Sequence, residues 1–295
     1  MADRFTENPM AEMTALARAV SNTEKDRRIR CGDGLAVKLL GGKFKFIAKV
    51  PPVRALMKRI HRKITPGGYG YIIARTIYFD QLLTHLPFEQ LIILGAGFDS
   101  RAYRYAHVLK DKKVFEVDHP ELVARKKTKL QSVLGRLPEH VHYVPVDFNV
   151  DSLKDSLVSA GYNPAVPALF LWEGVSMYLN EDAVANVLRF VARNSRAGSH
   201  IVFDYALKDV LDGDYSHFGA EPYMRLTREK NEPVTFGIYD RDCARFVSRH
   251  GLQLETMIRS VDLEKDLFAD ARGNPVLKCY GFFSIVIAKV KPKRR

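Results

Sequence analysis

The sequence predicts an α/β fold: a doubly wound, mostly parallel sheet of seven strands with an antiparallel last strand, preceded by a helical segment. Three observations carry this. From residue 91 onward, short β-rich runs alternate with helical runs, the pattern of a parallel sheet covered on both faces. The first run, Leu91-Ile92-Ile93-Leu94, ends on two glycines one residue apart, Gly95 and Gly97, as a tight strand-to-helix turn does. The chain closes with β-rich runs at 252–260 and 280–290, read as joined only by a loop and hence as an antiparallel pair.

The elements follow in order. Residues 8–20 carry Met10, Met13, Leu16, Ala17 and Val20 at helical spacing. Residues 35–65 read as helical pieces interrupted at Gly41-Gly42 and Pro51-Pro52, residues 65–71 as a loop, and residues 72–83 as a helix. Strands are predicted at 91–95, 113–118, 141–147, 168–173 and 200–205, with helices at 101–109, 119–134, 151–160 and 181–195 between them. A last helix is expected at 239–250. Residues 206–236 show no core pattern and are rich in Asp, Tyr, His and Arg, as functional insertions often are. The organisation expected is a helical lid over 1–85 and a ligand-binding α/β domain over 86–295, with an acceptor-binding insert at 206–236.

Bulk properties narrow the function. The chain has 295 residues, 46% of them apolar, enough for a substantial core, and no run approaches the ~20 apolar residues of a membrane span. Cys31, Cys243 and Cys279 are scattered and odd in number, which argues against a disulfide framework and against a metal site. A cytoplasmic protein is the expectation. The net charge of +12 is concentrated: residues 25–63 hold 13 Lys/Arg against Asp26 and Asp33. Such a run is a solvated face, a lid that attracts an anionic substrate, or a surface for anionic lipid or nucleic acid.

The chemistry sits at the predicted strand ends, where an open doubly wound sheet binds its ligands. The dinucleotide signature would need a third glycine at position 100, and this chain has Ser100. The second strand ends on Asp118, 21 residues past Gly97, the spacing of a carboxylate that accepts both ribose hydroxyls. The third ends on Asp147 followed by Phe148, an acceptor for an adenine amine beside an apolar ring. The fourth ends on Glu173-Gly174, a break in an apolar run. Three acids at three successive strand ends would repel a pyrophosphate. They suit S-adenosyl-L-methionine, which carries a sulfonium and an ammonium and only one carboxylate. Arg75 is the cation available for that carboxylate.

The stretches "LGAGFDSRAYR", "FEVDHPELVARKKTKL", "VDF" and "WEGVSMYL" together resemble the leucine carboxyl methyltransferase-like family of S-adenosylmethionine-dependent O-methyltransferases, in its bacterial small-molecule branch. The likeness runs from about residue 70 to 190, with residues 236–252 also fitting, and it is weaker over the first 65 residues. It implies a class I methyltransferase-like sheet with S-adenosyl-L-methionine as cofactor. It implies that Arg75 holds the methionine carboxylate, that Gly95 and Gly97 lie beneath the methionine part, that Asp118 binds the ribose, and that Asp147 and Phe148 contact the adenine. It places Glu173 near the amino end of the cofactor, and Arg18 is the choice for a further cation from the N-terminal helix. Asp99, Arg101 and Arg104 belong to the motif as well, and an internal charged network beneath the turn is their expected role.

A methyl sulfonium is already activated, so the acceptor needs placement more than chemistry. Tyr178 is the candidate catalytic residue that orients it. A hydroxyl acceptor would need a base, for which His119 is the alternative to a structural role. The expected partner is a small, anionic acceptor and no nucleic acid, with a weak membrane-surface contact through residues 35–65 as an alternative use of the basic run. A nicotinamide-dependent oxidoreductase on the same fold class is the competing enzyme reading. Ser100 and the acidic strand ends disfavour it, as does the absence of a Tyr-x-x-x-Lys at Tyr178, where the fourth residue on is Asp182.

Overall fold

A computed structural model describes residues 9–148 and 150–292. Expectations for residues 1–8 and for the last three basic residues lie outside these. The strands are β1 (Gln90–Leu94), β2 (Lys113–Asp118), β3 (Val141–Pro145), β4 (Ala168–Trp172), β5 (His200–Leu207), β6 (Gly237–Ile238), β7 (Leu252–Arg259) and β8 (Phe283–Val290). The main path runs β3-β2-β1-β4-β5-β8-β7, and the two-residue β6 pairs beside β5. β8 alone is antiparallel to its neighbours, inserted between β5 and β7. The chain winds from β1 outward to β3, then returns to β4 beside β1. That reversal opens a crevice at the carboxyl ends of β1 and β4.

Every residue of β1, β4 and β5 is buried, so these strands need no alternation of polar and apolar positions. Helices cover both faces. Pro120–Leu134 turns Leu122, Val123 and Leu130 inward, and Glu181–Asn194 turns Val184, Val187, Leu188 and Val191 inward. Among the described residues no helix is long and apolar enough to cross a membrane.

Several elements differ from the sequence reading. Of the loop expected at 65–71 only residues 65–67 are turn, and helix Gly68–His85 begins at Gly68. Gly70 is tolerated in that helix because the backbone of Lys278 crosses it; a Cβ there would lie 2.1 Å from the Lys278 carbonyl oxygen. The helix expected at 101–109 is two short helices, Arg101–Arg104 and Ala106–Leu109, broken at Tyr105. The stretch between β7 and β8 is not loop alone, since Ser260–Phe268 is a helix that buries Leu263 and Phe268. Within 206–236, helix Ala220–Glu229 buries Tyr223 and Met224, an inward face that the many polar residues around it concealed.

The N-terminal helices Pro9–Ser21, Ala36–Leu39 and Gly42–Lys49 build a second core. Ala15, Leu16, Val20, Leu39 and Leu40 pack there with Phe98, Leu122 and Leu130 of the sheet domain. Helix Gly68–His85 belongs instead to the main core, through Tyr71, Ile73, Ala74, Phe79 and Leu83.

Candidate functional site

The turn after β1 is built as its residues require. Gly95 has φ +65° and Gly97 φ +40°, and a Cβ on Gly95 would meet Val175 Cγ2 at 2.4 Å. Above Gly97 there is more room: its nearest neighbour would be the Ala11 Cβ at 3.6 Å. Asp118 closes the turn from the next strand, with Oδ2 accepting from Gly97 N–H at 2.6 Å and Oδ1 from His119 N–H at 2.7 Å. Burial pushes the Asp118 carboxyl above its ordinary value, against the pull of those two donors. Each of its oxygens keeps lone-pair capacity for a second hydrogen bond.

Asp147 and Phe148 follow β3, both half-buried. The Asp147 N–H donates to Asp151 Oδ2 at 2.8 Å, and Ser152 caps the next helix by accepting from Asp155 N–H at 3.2 Å. Phe148 packs against the edge of the main core.

Glu173, past the end of β4, lies between two arginines. Arg75 Nε donates to its Oε1 at 3.0 Å, and Arg101 Nη1 lies 2.7 Å from its Oε2 as an ion pair outside hydrogen-bond alignment. Burial alone would raise the Glu173 carboxyl, but Arg101 and Arg75 outweigh it and hold the group below the usual carboxylate range. Arg75 also donates through Nη1 to Asp204 Oδ2 at 2.5 Å.

Beneath the turn is the charged network expected of Asp99, Arg101 and Arg104. Arg101 donates to Asp80 Oδ1 at 2.7 Å and pairs with Asp99, and Arg104 Nη2 reaches Asp80 Oδ1 at 2.6 Å. Arg18 holds the N-terminal helix onto the same turn. Its Nε donates to Asp33 at 2.8 Å and its Nη2 to the Phe98 carbonyl at 2.6 Å.

Arg75 and Glu173 are thus joined by one hydrogen bond and Gly97 and Asp118 by another, past the carboxyl ends of β1, β2 and β4, and Arg18 bonds the same turn at the Phe98 carbonyl. Phe148, after β3, lines a separate cavity with Leu153 and Phe190. Tyr178 lies in the short helical turn Ser176–Tyr178, and its hydroxyl meets that of Tyr223 at 2.8 Å rather than any of these carboxylates. Burial pushes the Tyr178 phenol up to about 12. The sequence reading passed over Asp204, which is fully buried in β5 and accepts from Tyr71 Oη at 2.9 Å and Gly174 N–H at 2.6 Å. Its signal was the one that marked Glu173, a lone acid in an apolar strand.

The donor set fits S-adenosyl-L-methionine better than a dinucleotide. The turn lacks the third glycine, and Ser100 there is buried, with Oγ accepting from Arg104 Nε at 3.1 Å. A pyrophosphate would face Asp118 and Glu173 with no cation on the turn itself.

The profile of the family described as leucine carboxyl methyltransferase matches residues 11–192, more than half of the chain. The chain belongs to that family. The matched region contains every site residue named above except Asp204 and Tyr223. Among similar proteins is the "Putative S-adenosyl-L-methionine-dependent methyltransferase YktD" of Bacillus subtilis, 27% identical over 68% of this chain and 67% of that one. A protein of Mycolicibacterium paratuberculosis with the same description is 32% identical over 68% of this chain and 63% of its own length. The match therefore spans about two thirds of the length of these relatives. Two solved structures share the fold: a DUF574 family protein of Streptomyces avermitilis (TM-score 0.59, 13% identity, covering 95% of this chain and 97% of that one) and a protein described as a putative methyltransferase of Thermobifida fusca (TM-score 0.58, 18% identity, covering 96% and 98%).

Replacing Asp118 tests the ribose assignment. Asp118→Ala is expected to weaken S-adenosylhomocysteine binding roughly tenfold to a hundredfold, the worth of a hydrogen bond to a charged group. Calorimetry that finds an unchanged Kd, with an unchanged circular dichroism spectrum, would remove Asp118 from the site.

Proposed function

We propose that this chain is an S-adenosyl-L-methionine-dependent O-methyltransferase that acts on a carboxylate or hydroxyl of a small acceptor. The observation that carries the reading is the arrangement at the strand ends. An open glycine turn, a ribose-type carboxylate and a paired arginine and glutamate sit together at the switch point of a leucine carboxyl methyltransferase family fold. The names of the relatives support the same cofactor.

When bound, S-adenosyl-L-methionine supplies an activated methyl group, and the residues supply placement. Arg75, fixed by Glu173 and Asp204, turns its remaining donors toward a carboxylate. Glu173, kept ionised by its two arginines, offers a negative charge to an ammonium. Asp118 offers two oxygens to a pair of hydroxyls. Tyr178 keeps its proton at neutral pH, so it donates a hydrogen bond and does not act as a base. That favours an acceptor already ionised, a carboxylate, over an alcohol.

The charge class of the acceptor has separate support. A cavity of about 240 Å³ between the N-terminal helices is lined by Met13, Leu16, Ile47 and Met57, with Arg54 and Lys58 at its wall. Glu24 lines it too and pairs with Lys58, so Arg54 and Arg62 are the cations left to meet a negative end on an apolar body. None of the cofactor candidates lines it, so it speaks to the kind of acceptor and not to the position of transfer.

Calorimetry with S-adenosylhomocysteine and with NAD, followed by a methyl-acceptor screen of carboxylates and phenols, tests the proposal. Micromolar affinity for NAD with none for S-adenosylhomocysteine would overturn it. With an acceptor in hand, Tyr178→Phe is expected to lower kcat/KM roughly tenfold to a hundredfold without moving the pH profile. A lost alkaline or acidic limb would instead mark Tyr178 as a proton carrier.

A further inference from the structure

Helix Pro51–Ile64 is fourteen residues long and buries none of them. Its inner side is spoken for: Arg54 Nη1 donates to the Ala48 carbonyl at 2.8 Å, Lys58 pairs with Glu24, and Met57 and His61 line the cavity beneath. The outer side is not. Leu56, Ile60 and Ile64 recur every fourth residue, which places them on one face, and they are 57%, 38% and 49% exposed. The preceding helix adds Phe46 at 58%. Exposed aliphatics scattered singly need no explanation; a stripe of them on one helix does.

Arg59 and Lys63 flank this stripe, both exposed, and neither makes an ion pair among the described residues. The sequence from residue 34 to residue 79 contains no Asp or Glu at all. Three large apolar side chains on one face with cations beside them are the make-up of a helix that lies in the plane of a bilayer, its aliphatics in the acyl boundary and its cations at the headgroups. A nucleic acid would use the charge and leave the aliphatic stripe in water. An acidic bilayer uses both.

We propose that the outer face of helix Pro51–Ile64, with Phe46, docks this chain onto the surface of an anionic bilayer. The proposal does not rest on the methyl-transfer reading. It explains why an amphipathic helix that adds nothing to either core carries Leu56, Ile60 and Ile64 outward.

The test is co-sedimentation of the full chain with vesicles of phosphatidylcholine alone or mixed with phosphatidylglycerol, at low and high salt. Binding is expected to the mixed vesicles only, weakened by salt. A polybasic contact gains about fivefold in affinity per cation near an anionic surface. Arg59→Glu with Lys63→Glu should therefore lower binding more than tenfold. Leu56→Ser with Ile60→Ser and Ile64→Ser should also lose it, at both salt concentrations. Both variants should keep the wild-type melting curve, since none of these residues is buried. Three results would overturn the proposal: a folded wild-type chain that ignores anionic vesicles, binding that survives the serine variant, or size-exclusion chromatography showing that the stripe is buried in a dimer the serine variant dissolves.

Discussion

Arg101→Ala is expected to lower the unfolding free energy by about 3–5 kcal/mol, the cost of stripping one partner from a buried ion pair. Arg101 is 3% exposed and stands among three carboxylates, those of Asp80, Asp99 and Glu173. None of the three has enough water around it to replace the guanidinium. Burial alone would raise the Asp99 carboxyl, yet Arg101, with help from Lys126 and Arg18, takes it down from 3.8 to about 2. A carboxyl lowered in the folded state contributes stability above its unfolded pKa and loses it as pH falls through the folded value. The wild type should therefore lose stability steeply between about pH 4 and pH 2, and the variant should lose less there because part of that contribution is already gone. Urea unfolding across this range measures both effects. A loss below ~1 kcal/mol with an unaltered acid limb would show that the network is dispensable. Arg101→Lys is not expected to restore the wild type, since one ammonium cannot reproduce the planar fork that reaches three carboxylates.

The fold was legible because its signals are local. Apolar runs that end on Gly95, on Asp118 and on Glu173 lie where a parallel sheet ends its strands, and short-range alternation was enough to find them. The site was legible only in part, and the difference is one of sequence distance. Asp118 is 21 residues from the Gly97 amide it accepts from. Asp204 stands 129 residues from Arg75, and nothing near it in the chain hints at that partner. Asp80 and Asp33 were unreadable for the same reason, each a lone acid in a helical or basic stretch whose arginine is brought to it by folding. Tyr223 lies in a segment whose polar composition hid a short inward face. From the sequence, Arg18 is expected to be a cation for the cofactor. The structure gives it a further job, tying the first helix to the Phe98 carbonyl and the buried Asp33.

Deleting residues 1–65 is expected to do more than uncover the carboxyl ends of the strands. A lid of independent helices could be removed while the sheet domain kept its cofactor. The packing here argues otherwise. Phe98, Leu122 and Leu130 belong to the sheet domain, yet they are buried largely by the N-terminal helices, with Ala15, Leu16, Val20 and Leu39. Burying a side chain of this size stabilises by ~1.5–3 kcal/mol, so uncovering all three costs about 5–9 kcal/mol. A whole domain of ordinary stability has only about 5–15 kcal/mol to lose. Buried Glu12, which pairs with Arg125 and with Lys129 at 3.4 Å, would go as well. The truncated chain should bind a hydrophobic dye, elute as an aggregate and melt without a cooperative transition. A monomeric truncation that melts cooperatively and still binds S-adenosylhomocysteine would show that the second core is an accessory and that the segment acts as a detachable lid. The charges of the segment are better tested singly. Lys58 is tied to Glu24, so its reversal breaks an internal contact. Arg62 makes no ion pair among the described residues and borders the cavity, so Arg62→Glu is the change that isolates attraction of an anionic acceptor. Its effect should appear in the acceptor KM, be larger at low salt, and leave the melting curve unmoved.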